Sequence, residues 1–353
     1  MSDPLAFSYA AQPMDVTFGA GSISGLRAEV EALGLTRVIV LSTPGQAGLA
    51  GEIAAQLGPL VGAIFTKATM HVPIEIVDEA ASVVAKVGAD GCVAVGGGST
   101  IGLGKALSLR HRIPTVAVPT TYAGSEMTPV WGITENGVKT TGRDRVVLPV
   151  KVIYDPELSL ALPLGISATS GMNAIAHAVE ALWAPDRSPL ISLMAEEGVR
   201  AIATALPQLK HGADLAGRSN LLYGAWLCGS CLGATTMSLH HKLCHILGGT
   251  FNLPHADTHT IVLPYVLEYN APAAPQAVAA LQRALGTDDP VAGLITLRQD
   301  WDVPSSLKQL GLTQNDLETA VDAAIASPYA NPREVTAEGL RTLLARAWSG
   351  ALG

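Results

Sequence analysis

The chain has 353 residues, 48% of them hydrophobic and 15% charged, with a formal net charge of −8. At about 100–200 residues per domain this length predicts two domains, and the apolar content excludes an intrinsically disordered chain. The acidic balance argues against general nucleic-acid binding, although it leaves room for a local basic pocket that takes an anion.

The N-terminal residues, Met-Ser-Asp-Pro-Leu-Ala-Phe, have no basic segment running into an apolar one, so no secretory leader is expected. Short β-branched runs then predict strands at 37–42, 62–66, 91–95, 115–118 and 151–154. Amphipathic stretches between them predict helices at 23–33, 47–57, 73–87 and 101–109. That alternation is the pattern of a parallel sheet with crossover helices. Asn136-Gly137 supplies the positive φ angles of a hairpin turn. Beyond residue 156 strand-like runs give way to Ala- and Leu-rich helical stretches at 167–183, 189–205, 215–234, 238–247, 272–285, 291–301, 314–326 and 337–348. Residues 1–156 are thus expected to form an α/β nucleotide-binding domain, and 157–353 an all-α domain.

Residues 221–239 carry no charge, about the length of a membrane span, but the run is interrupted by Gly, Ser and Thr and leads into His240-His241-Lys242. A buried helix is expected there, and no membrane association. Cys92, Cys228, Cys231 and Cys244 all sit at hydrophobic positions, as core thiols of a reducing cytoplasm would.

Two polar loops carry binding chemistry. Residues 91–99 read Gly-Cys-Val-Ala-Val-Gly-Gly-Gly-Ser, a buried strand, the third predicted, ending in three glycines before a helix. Glycines let backbone N–H groups approach a phosphate, and the helix N-terminus adds free donors and a favourable dipole. The spacing is not that of the common dinucleotide fingerprint. The next strand ends in Pro119-Thr120-Thr121-Tyr122-Ala123-Gly124-Ser125-Glu126, at the strand end where open α/β sheets bind ligands. The first predicted strand ends at Ser42, where enzymes restricted to NAD place an acid. A neutral residue would not repel a ribose phosphate, so NADPH is expected beside NADH.

Five of the nine histidines fall within residues 240–259: His240, His241, His245, His255 and His259. His241 and His245 share a helix face by their four-residue spacing, and Asn173 and His177 repeat that spacing upstream. His255 is expected in a loop that folds back on the His241 face. His177, His241 and His255 could ligate a divalent metal, or the set could form a metal-free acid–base and anion pocket.

The Gly-Gly-Gly-Ser loop, Pro-Thr-Thr before Gly-Ser-Glu, Ser-Gly-Met-Asn-Ala-Ile-Ala-His at 170–177, and His241-x3-His245-x9-His255 occur in this order. Together they resemble the iron-containing (group III) alcohol dehydrogenase family over nearly the whole chain. The resemblance implies a dehydroquinate synthase-like fold, with an N-terminal nucleotide-binding α/β domain, a C-terminal helical domain, an active site in the cleft between them, and a homodimer. Two departures narrow it. Gly102 stands where the family's glycine loop usually carries Asp, and Asn173 stands where its metal-binding helix usually carries Asp.

With those departures, segments 96–105, 120–128 and 173–177 look like the maleylacetate reductase branch of the family, which reduces maleylacetate to 3-oxoadipate with NADH or NADPH in aromatic breakdown. The substrate implied is a small dicarboxylate with a ketone conjugated to a C=C bond. Hydride added to the far alkene carbon places charge on the ketone oxygen, where a histidine donor can hold it. Three imidazoles and an amide give a divalent ion no anionic ligand, so the metal site is expected to be absent or weak. His241 and His245 are the expected polarising and protonating pair, with His177, His255 and Asn173 fixing the substrate. Lys242, Arg143 and Arg145 are candidate partners for its carboxylates. Ser42, Gly97, Gly98, Ser99, Thr120, Thr121 and Lys139 are the expected cofactor contacts.

Overall fold

The computed structural model describes residues 7, 9, 12, 15–212, 214–299, 301–326 and 328–351. Residues 1–6, which bear on the leader, residue 300 of the predicted helix 291–301, and residues 352–353 at the end of the second predicted domain lie outside the described residues.

The chain divides into two compact units, Gln12–Leu162 with Asp214–Leu222, and Pro163–Ala213 with Tyr223–Gly353. The first is built on six parallel strands in the order β1-β8-β5-β4-β2-β3. These are β1 (Asp15–Phe18), β2 (Val38–Leu41), β3 (Val61–Phe65), β4 (Gly91–Gly96), β5 (Thr115–Pro119) and β8 (Lys151–Tyr154). Crossover helices α1 (Leu26–Ala32), α2 (Ala47–Leu57), α3 (Ile74–Val87) and α4 (Gly98–His111) join them. β2, β4, β5 and β8 are buried along their whole length, which is why they read as unbroken apolar runs. Val38, Val40, Val93, Val95, Val116 and Val118 fill one core with Leu26, Val30, Ile53 and Leu57. The strand β1 was not expected, so the glycine loop follows the fourth strand and not the third. β6 (Val130–Glu135) and β7 (Val138–Arg143) form a separate antiparallel hairpin around the expected Asn136-Gly137 turn.

The second unit is helical: α5 (Leu164–Trp183), α6 (Pro189–Gln208), the greater part of α7 (Leu215–Ala234), α8 (Leu239–Phe251), α9 (His255–Asn270), α10 (Pro275–Leu285), α11 (Pro290–Gln299), α12 (Asp316–Ile325) and α13 (Ala337–Ser349). α5 is buried on every side from Ser167 to Trp183, so its few polar side chains are enclosed with it. Of the uncharged run, 221–234 lie in α7 as expected, whereas 235–238 form a connection with Thr236 exposed and Leu239 opens α8. Gly198 of α6 and Gly224 of α7 meet so closely that a Cβ on Gly224 would lie 2.9 Å from the Gly198 carbonyl oxygen. No helix among the described residues is long and apolar enough to cross a membrane.

His255 does not lie in a loop: it is the first residue of α9, a helix that two prolines disguise in the sequence. Pro254 precedes it as the N-cap residue, and Pro264 lies inside it. Proline has no N–H for the carbonyl four residues back, here that of Thr260. The buried Arg298 side chain covers that stretch, its Nη1 donating to the Thr260 and Ile261 carbonyls at 3.5 and 3.3 Å.

Candidate active site

In the α/β unit the glycine loop closes tightly over the end of β4. Gly96 has φ +154°. A Cβ there would lie 2.5 Å from Thr100 Oγ1 and 2.9 Å from Gln46 Oε1, and one on Gly97 would lie 2.8 Å from Thr121 Oγ1. Gln46 Nε2 donates to Thr120 Oγ1 at 2.7 Å, tying the β2 end to the β5 end across the loop. Gly97 is the N-cap of α4, so the Gly98 and Ser99 amides precede any carbonyl of that helix. Thr100 Oγ1 is buried with no hydrogen-bond partner. A cradle that a Cβ would fill, beside free helix donors, fits the pyrophosphate of a dinucleotide.

The remaining expected contacts sit differently. Ser42 is fully buried and its hydroxyl donates to the Thr43 carbonyl, so it offers no surface of its own to a ribose. Lys139 lies half-buried on β7, and burial holds its ammonium below the ordinary lysine range. Burial, and then the Lys139 charge, lower His71 of the same unit. Gly102 packs against the 71–72 turn, where a Cβ would meet Val72 Cγ2 at 2.8 Å, so the family's usual Asp has no room here. Arg143 and Arg145 are exposed in this unit.

In the helical unit, α5, α8 and α9 bring six imidazoles together. The ring centroids of His177 and His241 are 5.2 Å apart in a stacked pair, and His245 stands 6.2 Å from His241. His259 lies 4.2 Å from His255, 4.7 Å from His240 and 4.9 Å from His241. His177 and Asn173 are buried, His255 is half-buried, and His245 is exposed. Lys242 is half-buried with Nζ 5.7 Å from the Tyr329 ring centre.

Sequence reasoning missed Glu180, which is fully buried and anchors His241 Nδ1 at 2.7 Å. Asn173, His177 and Glu180 recur at i, i+4 and i+7 on α5, a spacing that marks one helix face. Burial alone would raise the Glu180 carboxyl, but the His241 hydrogen bond, the adjacent His241 and His240 imidazoles and the Ser238 hydroxyl bring it down to about 2. His177 and His259 are held far below the ordinary histidine range, and His240 near 3, by burial and then by the other imidazoles. His177 Nδ1 and His241 Nε2 are buried without a hydrogen-bond partner.

The histidines that resemble the family's metal set are not gathered into a tight trio. Among the described residues, the only His, Cys, Asp or Glu trio whose donor atoms all lie within 4.8 Å is His240, Cys244 and His259, not His177, His241 and His255. Nor does that trio make a good site. His240 Nε2 and His259 Nδ1 already share a 2.9 Å hydrogen bond. Turning both nitrogens to a metal would put protons on His240 Nδ1 and His259 Nε2, two buried atoms with no partner.

Residues 13–156 match the Iron-containing alcohol dehydrogenase family, and residues 167–348 match the Fe-containing alcohol dehydrogenase family, C-terminal. The chain is 52% identical over 346 residues to a maleylacetate reductase of Burkholderia cepacia, covering 98% of both chains. The crystal structure of maleylacetate reductase from Agrobacterium tumefaciens superposes with a TM-score of 0.94 at 49% identity, covering 98% of this chain and 99% of that one. That of Rhizobium sp. strain MTP-10005 gives 0.93 at 50%, with the same coverage. The chain belongs to the iron-containing alcohol dehydrogenase family.

Proposed function

We propose that the protein reduces the conjugated C=C bond of maleylacetate to give 3-oxoadipate, with NADH or NADPH as hydride source and without a metal, in the breakdown of aromatic compounds. The observation that carries this is the identity of about half of all positions, over nearly the full length, to maleylacetate reductases. Asn173 in place of the usual metal-binding Asp supports the metal-free part.

When bound, a reduced nicotinamide supplies the hydride. Gly97, Gly98 and Ser99 would hold its pyrophosphate by backbone amides, with Thr120 and Thr121 beside them and Lys139 toward the nicotinamide. Ser42 would act only by leaving the ribose side free of negative charge. His241, with its buried Nε2, handles the proton at the ketone oxygen together with His245. His177, His255 and Asn173 orient the dicarboxylate, and Lys242, Arg143 and Arg145 are the candidates for its charge. A cytoplasmic homodimer completes the reading, and light scattering on the purified protein tests the dimer.

The test is NADH oxidation with maleylacetate, with and without a strong chelator. Fast turnover that ignores the chelator is expected. Chelator-sensitive turnover would keep the substrate and overturn the metal-free part, whereas turnover of small aldehydes alone would overturn the substrate. His241→Ala is expected to lower kcat by about 10²–10⁴-fold. Near-normal turnover of that variant would remove His241 from the mechanism.

A further inference from the structure

We infer that Glu180 is the positioning residue of this site: it fixes His241 in the tautomer protonated on Nδ1, so that Nε2 is the atom that takes up and delivers the proton. The kinetic part rests on the reaction proposed above; the tautomer part does not.

Both oxygens of Glu180 are fully used as acceptors. Oε1 receives the Ser238 hydroxyl at 2.7 Å and the His240 amide at 2.7 Å. Oε2 receives the Ser238 amide at 3.0 Å, the His241 amide at 3.3 Å and His241 Nδ1 at 2.7 Å. Backbone amides can only donate, so the crowded oxygens have no place for a proton of their own. The group is therefore a carboxylate, and a carboxylate can only accept. The hydrogen between Glu180 and His241 must then sit on Nδ1, and a neutral His241 carries its lone pair on Nε2.

The same five bonds explain why the imidazole cannot turn away. Ser238, His240 and His241 open α8, so one side chain from α5 satisfies the free amides of that helix and aligns its first functional ring. The His177 ring stacked at 5.2 Å covers a face of His241. The remaining nitrogen, Nε2, is buried and has no hydrogen-bond partner. In the reaction, a proton taken from solvent onto Nε2 passes to the ketone oxygen as the hydride adds, leaving neutral His241 and an enol. The fixed carboxylate offsets the positive charge while the proton is held, the service a buried carboxylate gives a catalytic histidine elsewhere.

The first experiment records long-range 1H–15N correlations on histidine-labelled full-length protein, which report each ring's tautomer without any substrate. His241 is expected as the Nδ1–H form in the wild type. A wild-type Nε2–H form, or an average of the two, would overturn the inference whatever the substrate turns out to be. In Glu180→Gln the carboxamide oxygen is expected to stay toward the Ser238 and His241 amides, so Nδ1–H persists while the carboxylate charge is lost. Its kcat is expected to fall at least about 100-fold, with KM within about three-fold. Glu180→Asp, which restores the charge one methylene short, is expected to recover part of kcat.

Ser238→Ala removes one donor to Glu180 but leaves the carboxylate and His241 in place. Because it removes only one of the five bonds, it is expected to cost less kcat than Glu180→Gln. If it costs as much as Glu180→Gln, the role is helix capping and the inference fails. Should Glu180→Gln not fold, the wild-type tautomer still decides.

Discussion

Acidification from pH 7.5 to 5 is expected to lower the protein's stability, above the range where carboxylates titrate. His177, His240 and His259 are buried and neutral, with their titration pushed below the ordinary 6.5. Once unfolded, all three take up protons below pH 6.5, so the unfolded state binds more protons than the folded one. Stability from these groups is fully present above 6.5 and is lost as pH falls. Each contributes a slope of at most about 1.4 kcal/mol per pH unit below 6.5. A domain is typically stable by only about 5–15 kcal/mol. Glu180, held near 2, adds a further loss that begins only below about 4.5. Thermal melts between pH 8 and 4.5 read this directly. A melting temperature that stays flat from 7.5 to 5.5 would show that the buried imidazoles are not neutral.

Gly224→Val is expected to destabilise the helical unit by about 3 kcal/mol or more. A Cβ at 224 would lie 2.6 Å from Ile202 Cγ1, 2.9 Å from the Gly198 carbonyl oxygen and 3.2 Å from the Ile202 amide nitrogen. Two of those three neighbours are backbone of α6, which cannot step aside without moving the helix. Gly249 of α8 is the control, because a Cβ there meets nothing within 4 Å. Gly249→Ala is expected to be neutral or to stabilise by up to about 1 kcal/mol through helix propensity. The urea midpoint should therefore fall for Gly224→Val and hold or rise for Gly249→Ala. A Gly224→Val protein with an unshifted midpoint would mean that α6 and α7 do not pack as described.

What the sequence made legible follows from how each residue earns its burial. β2, β4, β5 and β8 are buried on both faces, so their own apolar runs announce them. β1 is a four-residue edge strand with exposed ends, and nothing in Asp-Val-Thr-Phe separates it from a loop. α9 was hidden because Pro264 violates helix rules that Arg298, 34 positions away, repairs. The histidines stood out by number and spacing, and the structure does gather them. Their pairings did not stand out, since the bond between His240 and His259 and the one between Glu180 and His241 join different helices. Glu180 was readable in principle from its i+3 relation to His177, but only to a reader already asking what would hold the imidazole.

The four cysteines have a use that has nothing to do with catalysis. All are buried, and burial pushes Cys92 and Cys231 up to about 12 and holds Cys228 and Cys244 well above the ordinary thiol range. An alkylating reagent needs the thiolate and a path to it, so the closed molecule should ignore the reagent at neutral pH. Each modification event then marks one opening of the surrounding structure. Cys92 belongs to the α/β unit and the other three to the helical unit. Peptide-resolved labelling rates would therefore clock the opening of the two units separately, in the unaltered chain and without an added probe site.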